Sequence, residues 1–191
     1  MTALTLPVRS WSSGTRGEFV RYWEPFYWRF ETREALYTEH IGKPYTPSDV
    51  RALFRWKNGM PLATKKAASV ERHFVHRLDE LHSLSESTPA TEFLERWPHG
   101  GAVWRVFWLH LWQPRLYPIL DQHVYRALSC IGGWASKEIP TSDTAKLTDY
   151  FALYLPQWKA SGFKDREDDR ALWAFGKYLR SKWNESVGHL A

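Results

Sequence analysis

Asp121 is followed by His123, Val124 and Arg126, and it stands 20 residues beyond Gly101 of the segment WPHGGAV. A carboxylate at the start of a helix can do two kinds of work. Its oxygens can cap free backbone N–H groups, the commonest use of an aspartate there. The same N–H groups favour an ionised carboxylate, and an ionised carboxylate can orient or deprotonate water and stabilise developing positive charge. The cap and the catalyst are compatible readings. The glycine pair has chemistry of its own. Gly100 and Gly101 supply a turn and Ala102 to Trp104 a helix start, whose open N–H groups make a phosphate cradle independent of base sequence. The competing reading of that pair is an ordinary interhelical turn.

This order of parts resembles the helix-hairpin-helix (HhH-GPD) DNA glycosylase superfamily. Its signature is a Pro-Gly-apolar-Gly hairpin, a helix, and an aspartate in an Asp-x-His-Val-x-Arg context. Pro98, Gly100 and Gly101 stand in the hairpin here, and Asp121, His123, Val124 and Arg126 complete the second part. The likeness is best over residues 88–131 and is closest to the oxidised-guanine (8-oxoguanine) glycosylase-like branch. It implies a DNA glycosylase that takes double-stranded DNA with a flipped base and breaks the bond between base and sugar. That transition state resembles an oxocarbenium ion, which a carboxylate close to C1′ stabilises, so the resemblance makes Asp121 catalytic. It places His99, Gly100, Gly101, Ala102 and His123 on the DNA backbone, with Arg126 either structural or on the backbone too. An extruded base needs aromatic or apolar walls, for which the resemblance offers Val103, Trp104, Phe107, Trp108 and Leu111. Trp173 or Phe175 would add a wall from the last helix, whose Lys177, Arg180 and Lys182 would face phosphates.

Two positions depart from the pattern. His99 stands where the family hairpin usually begins with glycine, which bears on its backbone geometry and on any monovalent cation held by its carbonyls. No other cofactor and no metal is implied. Val103 occupies the place of the Schiff-base lysine of bifunctional members, and no lysine lies between Lys66 and Lys137. An amine nucleophile turns base removal into a covalent imine and strand cleavage. Its absence from the motif makes the expected enzyme monofunctional, unless a distant lysine such as Lys57 or Lys65 folds back into the site.

The elements that must position these residues read as helices throughout. The 191 residues suffice for one domain with a core, and 12 Trp, 9 Tyr and 10 Phe exceed what that core needs, so some rings should line a cleft. Residues 1–16 read as an N-terminal arm and 17–191 as a single helical glycosylase-like domain, with the hairpin and catalytic motif at 97–131. Apolar residues at helical spacing predict helices over 17–40, kinked or divided at Pro25, and over 62–84, with Val70, Phe74, Leu78 and Leu81 on one face. The first of these draws on Phe19, Tyr22, Trp23, Phe26, Tyr27 and Phe30. Thr46 and Pro47 open a short helix to about Trp56. Further helices are expected over 91–96, 102–113, 122–131, 143–158 and 168–183, the 102–113 helix central because it is apolar nearly all round. No segment alternates as a strand does. The fold class is all-α, a compact helical bundle of the helix-hairpin-helix DNA glycosylase type.

The net charge of +5 suits a polyanion without requiring one. A single cysteine, Cys130, excludes an internal disulfide and cysteine-rich metal centres, and its apolar neighbours suggest a buried thiol. His73, His76 and His82 do not converge on a straight helix, so solvated histidines are preferred to a metal site. No secretory signal or membrane span is visible, and a cytoplasmic monomer is expected. Two other functions remain to be separated from a glycosylase: a noncatalytic helix-hairpin-helix DNA-binding module, and a helical protein-interaction domain.

Overall fold

The computed structural model describes residues 14–42 and 44–181, with 28–32 described by backbone alone. Every element among the described residues is helical. The first helix, α1 (Arg16–Trp23), starts inside the expected arm, because Thr15 and Glu18 form a reciprocal capping box. Arg16 then ties this helix to the last described one, donating to Asp168 at 2.8 and 2.7 Å. Pro25 divides the expected first helix: a 3₁₀ segment, Glu24–Phe30, separates α1 from α2 (Glu31–Thr38), as befits a residue without an N–H to give. The side chain of Phe30 and residues 1–13, 182 and 183 lie outside the described residues, Lys182 and Trp183 among them.

Thr46 and Asp49 form a second capping box at α3 (Pro47–Asn58), which Gly59 ends in the left-handed conformation. The long helix expected over 62–84 is instead three pieces: α4 (Thr64–His73), a 3₁₀ turn and α5 (Leu78–His82). The break falls at Phe74 (φ −127°, ψ −55°), whose ring is fully buried against Phe54 at 4.5 Å. Packing of that ring overrides a helical pattern that would otherwise continue. After α6 (Ala90–Arg96) comes α7 (Gly101–Trp112), buried on most sides as its composition predicts.

The motif helix α8 (Gln122–Gly132) is next. The helix expected over 143–158 is continuous but not uniform: α9 (Asp143–Asp149) and α10 (Leu155–Ala160) flank a π-helical turn, Tyr150–Tyr154. The last helix, α11 (Arg166–Leu179), begins two residues earlier than expected because Asp165 and Asp168 cap it. It lies along α8 and also packs on α1 and the 3₁₀ segment. Cys130 is exposed on α8, which corrects the expectation of a buried thiol.

Candidate active site

The approach to Asp121 is an irregular segment, Tyr117 to Leu120, in which each carbonyl is taken by a buried side chain. His110 of α7 binds the oxygen of Tyr117 through Nδ1 at 2.7 Å, Tyr150 donates to Pro118 at 2.8 Å and Tyr154 to Ile119 at 2.6 Å. Lys57 of α3 donates its Nζ to Leu120 at 2.9 Å. Backbone polar groups taken out of water need partners, and here the partners come from three other elements. They fix the path of the chain into α8. The π-helical turn belongs to this arrangement, since it carries both tyrosines that hold consecutive carbonyls.

Asp121 itself is the N-cap of α8, its Oδ1 accepting from the N–H of His123 at 2.8 Å. The capping reading therefore holds as a statement of geometry. The other oxygen, Oδ2, lies 3.6 Å from Lys57 Nζ, in a pair whose side chains are 26% and 8% exposed respectively. The carboxylate is thus partly open while the amine behind it is closed. Burial pushes the Lys57 amine below the usual lysine range, against the opposing pull of Asp121. A distant lysine has folded back beside Asp121, the alternative that the sequence left open. Its signal was present in the sequence: Val50, Leu53 and Phe54 are fully buried and Lys57 continues their i, i+3, i+4, i+7 stripe.

A second buried polar group stands beside this pair and was not foreseen. Arg166 donates to both oxygens of Glu34, at 2.6 and 2.9 Å, and to the hydroxyl of Tyr27 at 3.0 Å, and it pairs with Asp169. Its guanidinium lies over the Trp56 ring, 4.8 Å from the centroid, and the Trp56 indole N–H donates to Glu34 at 3.3 Å. Burial alone would raise the pKa of Glu34; hydrogen bonds and charge from Arg166 overcome it and hold the carboxyl below its ordinary value. His110 is enclosed by the same group, with Nε2 at 2.7 Å from the Tyr37 hydroxyl.

Burial holds the His110 imidazole neutral, pushing its pKa from 6.5 down to about 3. Between those values the unfolded chain binds a proton that the folded chain refuses, so stability is lost as pH falls from 6.5 toward 3. Urea unfolding across that window should show this loss, up to about 1.4 kcal/mol per pH unit from this group. A His110→Gln variant should flatten that part of the curve.

The two glycines form the turn that opens α7. Gly100 and Gly101 have φ of 95° and 78°, where side chains are strained. A Cβ on Gly100 would also lie 2.8 Å from the Phe74 ring. Gly100, Gly101, Ala102, Val103 and Trp104 line an open groove of about 450 Å³ with Lys65, Lys66 and Ser69. His99 is exposed and rests on His73, ring centroids 4.7 Å apart. The groove is not apolar and lies apart from Asp121, which is not among its lining residues.

Other site residues are placed differently from expectation. Phe107, Trp108 and Leu111 are 0, 0 and 1% exposed and belong to the core, which corrects their place as walls of an open pocket. An all-round apolar helix gives no periodicity by which a core face and a cleft face could be told apart. Arg126 is also turned inward: it chelates Glu138 at 2.8 and 2.7 Å and donates to Gly176 O at 3.2 Å. It is a structural residue, not a surface cation. The ring of His123 is buried, at 3.2 Å from Arg126 through Nδ1 and edge-on to half-buried Trp173 at 5.0 Å. Lys177 and Arg180 remain exposed, with Lys177 over the Trp173 ring. No group of residues among those described could hold a metal ion, and no described helix is long and apolar enough to cross a membrane.

No family model, curated protein or solved structure significantly matches the chain.

Proposed function

We propose that this chain is a DNA glycosylase of the helix-hairpin-helix type, hydrolysing the bond between a damaged or modified base and its deoxyribose. The observation that carries the reading is the Asp121 carboxylate: held by the His123 N–H, partly open to solvent, and backed by a buried amine at 3.6 Å. A carboxylate fixed in this way can face the positive charge that develops at C1′ and take a proton from the attacking water as the base departs. The glycine turn, with Lys65 and Lys66 beside it, supports backbone binding, since open N–H groups and cations together suit phosphate, although the Asp143 carboxylate lines the same groove against Gly101. The test is a panel of duplexes carrying oxidised, alkylated, deaminated or hypermodified bases, with abasic sites revealed by hot piperidine. Base release from one of them is expected. Salt-dependent duplex binding without release from any lesion would make the chain a noncatalytic DNA-binding module instead, and no binding even at low salt would favour a protein-interaction domain.

Lys57 enters this reading as a positioning residue. Its amine is committed to the Leu120 carbonyl and to Asp121 from behind, and its side chain is 8% exposed. The hydrolytic, monofunctional reading is therefore kept with the lysine present. Borohydride added during turnover should trap no protein–DNA adduct, and a trapped adduct lost in Lys57→Met would instead make the amine the nucleophile. Lys57→Met should lower turnover by about 10- to 100-fold through a displaced carboxylate. Lys57→Arg, which restores both the charge and a donor, should recover part of that loss. Equal turnover in the two variants would show that the lysine does not act through Asp121.

A further inference from the structure

Glu138 and Arg126 form an ion pair whose two members are held very differently. Arg126 is 3% exposed and is fixed from within: its Nη1 donates to Gly176 O of α11 at 3.2 Å and stands 3.2 Å from His123 Nδ1 of α8. Its other edge, Nε and Nη2, is closed by Glu138, at 3.0, 2.8 and 2.7 Å. Glu138 lies in the irregular stretch between α8 and α9, and its side chain is 69% exposed. The backbone there is anchored apart from that carboxylate. Trp134 and Ile139 pack against the core, and Ser136 Oγ bonds the N–H and carbonyl of Glu138 at 3.3 and 3.1 Å. The carboxylate can therefore swing into water about its own side-chain bonds.

This asymmetry decides when the pair opens. An exposed glutamate loses little by leaving, since it regains water and rotamer freedom. Arg126 cannot follow, and a buried guanidinium stripped of its counter-charge is costly. The carboxylate thus leaves only in exchange for another anion. Phosphate fits the exchange, because two parallel donors of the guanidinium fork match two of its oxygens as they match a carboxylate. Further cations bear on the same place. Hydrogen bonds from Arg126 hold the Glu138 carboxyl below its ordinary value, and the charges of Arg126 and Arg180 add to them. Burial, and after it the charges of Lys177, Arg126 and Arg180, push the neighbouring His123 imidazole down against the pull of Asp121. Lys177 and Arg180 are exposed, and the charge of Asp121 is already met by Lys57 at 3.6 Å.

We infer that Glu138 is a removable stopper on a phosphate site: a phosphate takes its place on Arg126, within reach of Arg180 and Lys177, while the displaced carboxylate turns to solvent. The phosphate comes either from a DNA strand laid over α8 and α11 or from solution as the free ion. The stopper makes the site selective, since an anion must chelate the guanidinium as well as the carboxylate does to displace it. The strand source rests on the DNA-binding part of the reading above, and the site itself does not. Asp121 takes no part in the exchange, so failure of the glycosylase reading would not remove it.

The Nε–H of Arg126 donates to Glu138, so its nuclear magnetic resonance reports the exchange directly. The isotope-labelled full chain is titrated with inorganic phosphate and, separately, with a short undamaged duplex in phosphate-free buffer. At least one of the two should move this resonance. Glu138→Gln, which keeps an oxygen for the guanidinium but no charge, should bind that ligand about tenfold more tightly than wild type. Glu92→Gln takes the same charge from another exposed pair, with Arg96, and should leave the affinity unchanged. Arg180→Ala, at an exposed position, should weaken binding by the wild type and by Glu138→Gln alike. A wild-type resonance that neither ligand moves, or an equal gain from Glu138→Gln and Glu92→Gln, overturns the inference. A shift produced by the duplex assigns the site to a strand phosphate. A shift produced by inorganic phosphate alone, and unchanged when duplex is added, assigns it to the free ion.

Discussion

Asp121→Asn is expected to abolish base release, by on the order of 10²–10⁴-fold or more, while duplex affinity stays near that of the wild type. The substitution separates the two readings of this residue because they depend on different properties of one side chain. As a cap, Asp121 needs only an oxygen for the His123 N–H, and asparagine supplies one with nearly equal preference. As a catalyst it needs negative charge at the developing oxocarbenium and a site for the water proton, neither of which an amide provides. If capping were its whole purpose, turnover would survive. One structural cost is foreseen. Lys57 loses its anionic neighbour, at 3.6 Å, while its hydrogen bond to Leu120 persists. That should lower stability by about 1–3 kcal/mol, and the double variant Lys57→Met with Asp121→Asn should recover part of it. Piperidine-revealed cleavage, a duplex-binding titration and a urea midpoint measured on the same preparations would check all three statements.

The helices that carry this site were legible where local chemistry fixes them. The Thr46 and Pro47 start of α3, the glycine turn before α7 and the Asp121 start of α8 are each set by one or two residues with few alternatives. The helical pattern was misleading where a distant ring decides the backbone, as at Phe74, and where a helix widens to aim side chains, as at Tyr150 and Tyr154. The site itself was only half legible. Asp121 and the glycine pair lie close in sequence and follow a spacing. Glu34 and Arg166, 132 residues apart, meet only in the folded chain, and no local pattern couples them. Lys57 lay between these cases: its place on a buried stripe was readable, but its partner was not. Aromatic abundance proved the weakest guide, because Phe107 and Trp108 fill the core as well as they would have lined a cleft.

The second large effect is expected far from any reacting group, at Gly176 in the interior of α11. Alanine in a helix ordinarily stabilises relative to glycine by about 0.5–1 kcal/mol. At this position a Cβ would lie 1.8 Å from the carbonyl oxygen of His123 and 2.6 Å from its carbon, both backbone atoms of α8. Backbone cannot rotate aside as a side chain does, so α8 and α11 would have to separate. Separation also pulls Gly176 O from Arg126 and loosens the contact that seats the first turn of α8. We expect Gly176→Ala to cost about 3 kcal/mol or more, read as a fall in the urea midpoint. The variant should also lose turnover at temperatures where it remains folded, since the His123 N–H that orients Asp121 belongs to the displaced turn. Gly17→Ala is the control. It lies in α1, where a Cβ would meet nothing within 4 Å, and should leave the midpoint unchanged or raise it. Similar midpoints for the two alanine variants would show that the close approach of α8 and α11 does not position Asp121. A midpoint loss confined to Gly176→Ala, with turnover intact in its folded fraction, would leave that approach a matter of stability alone.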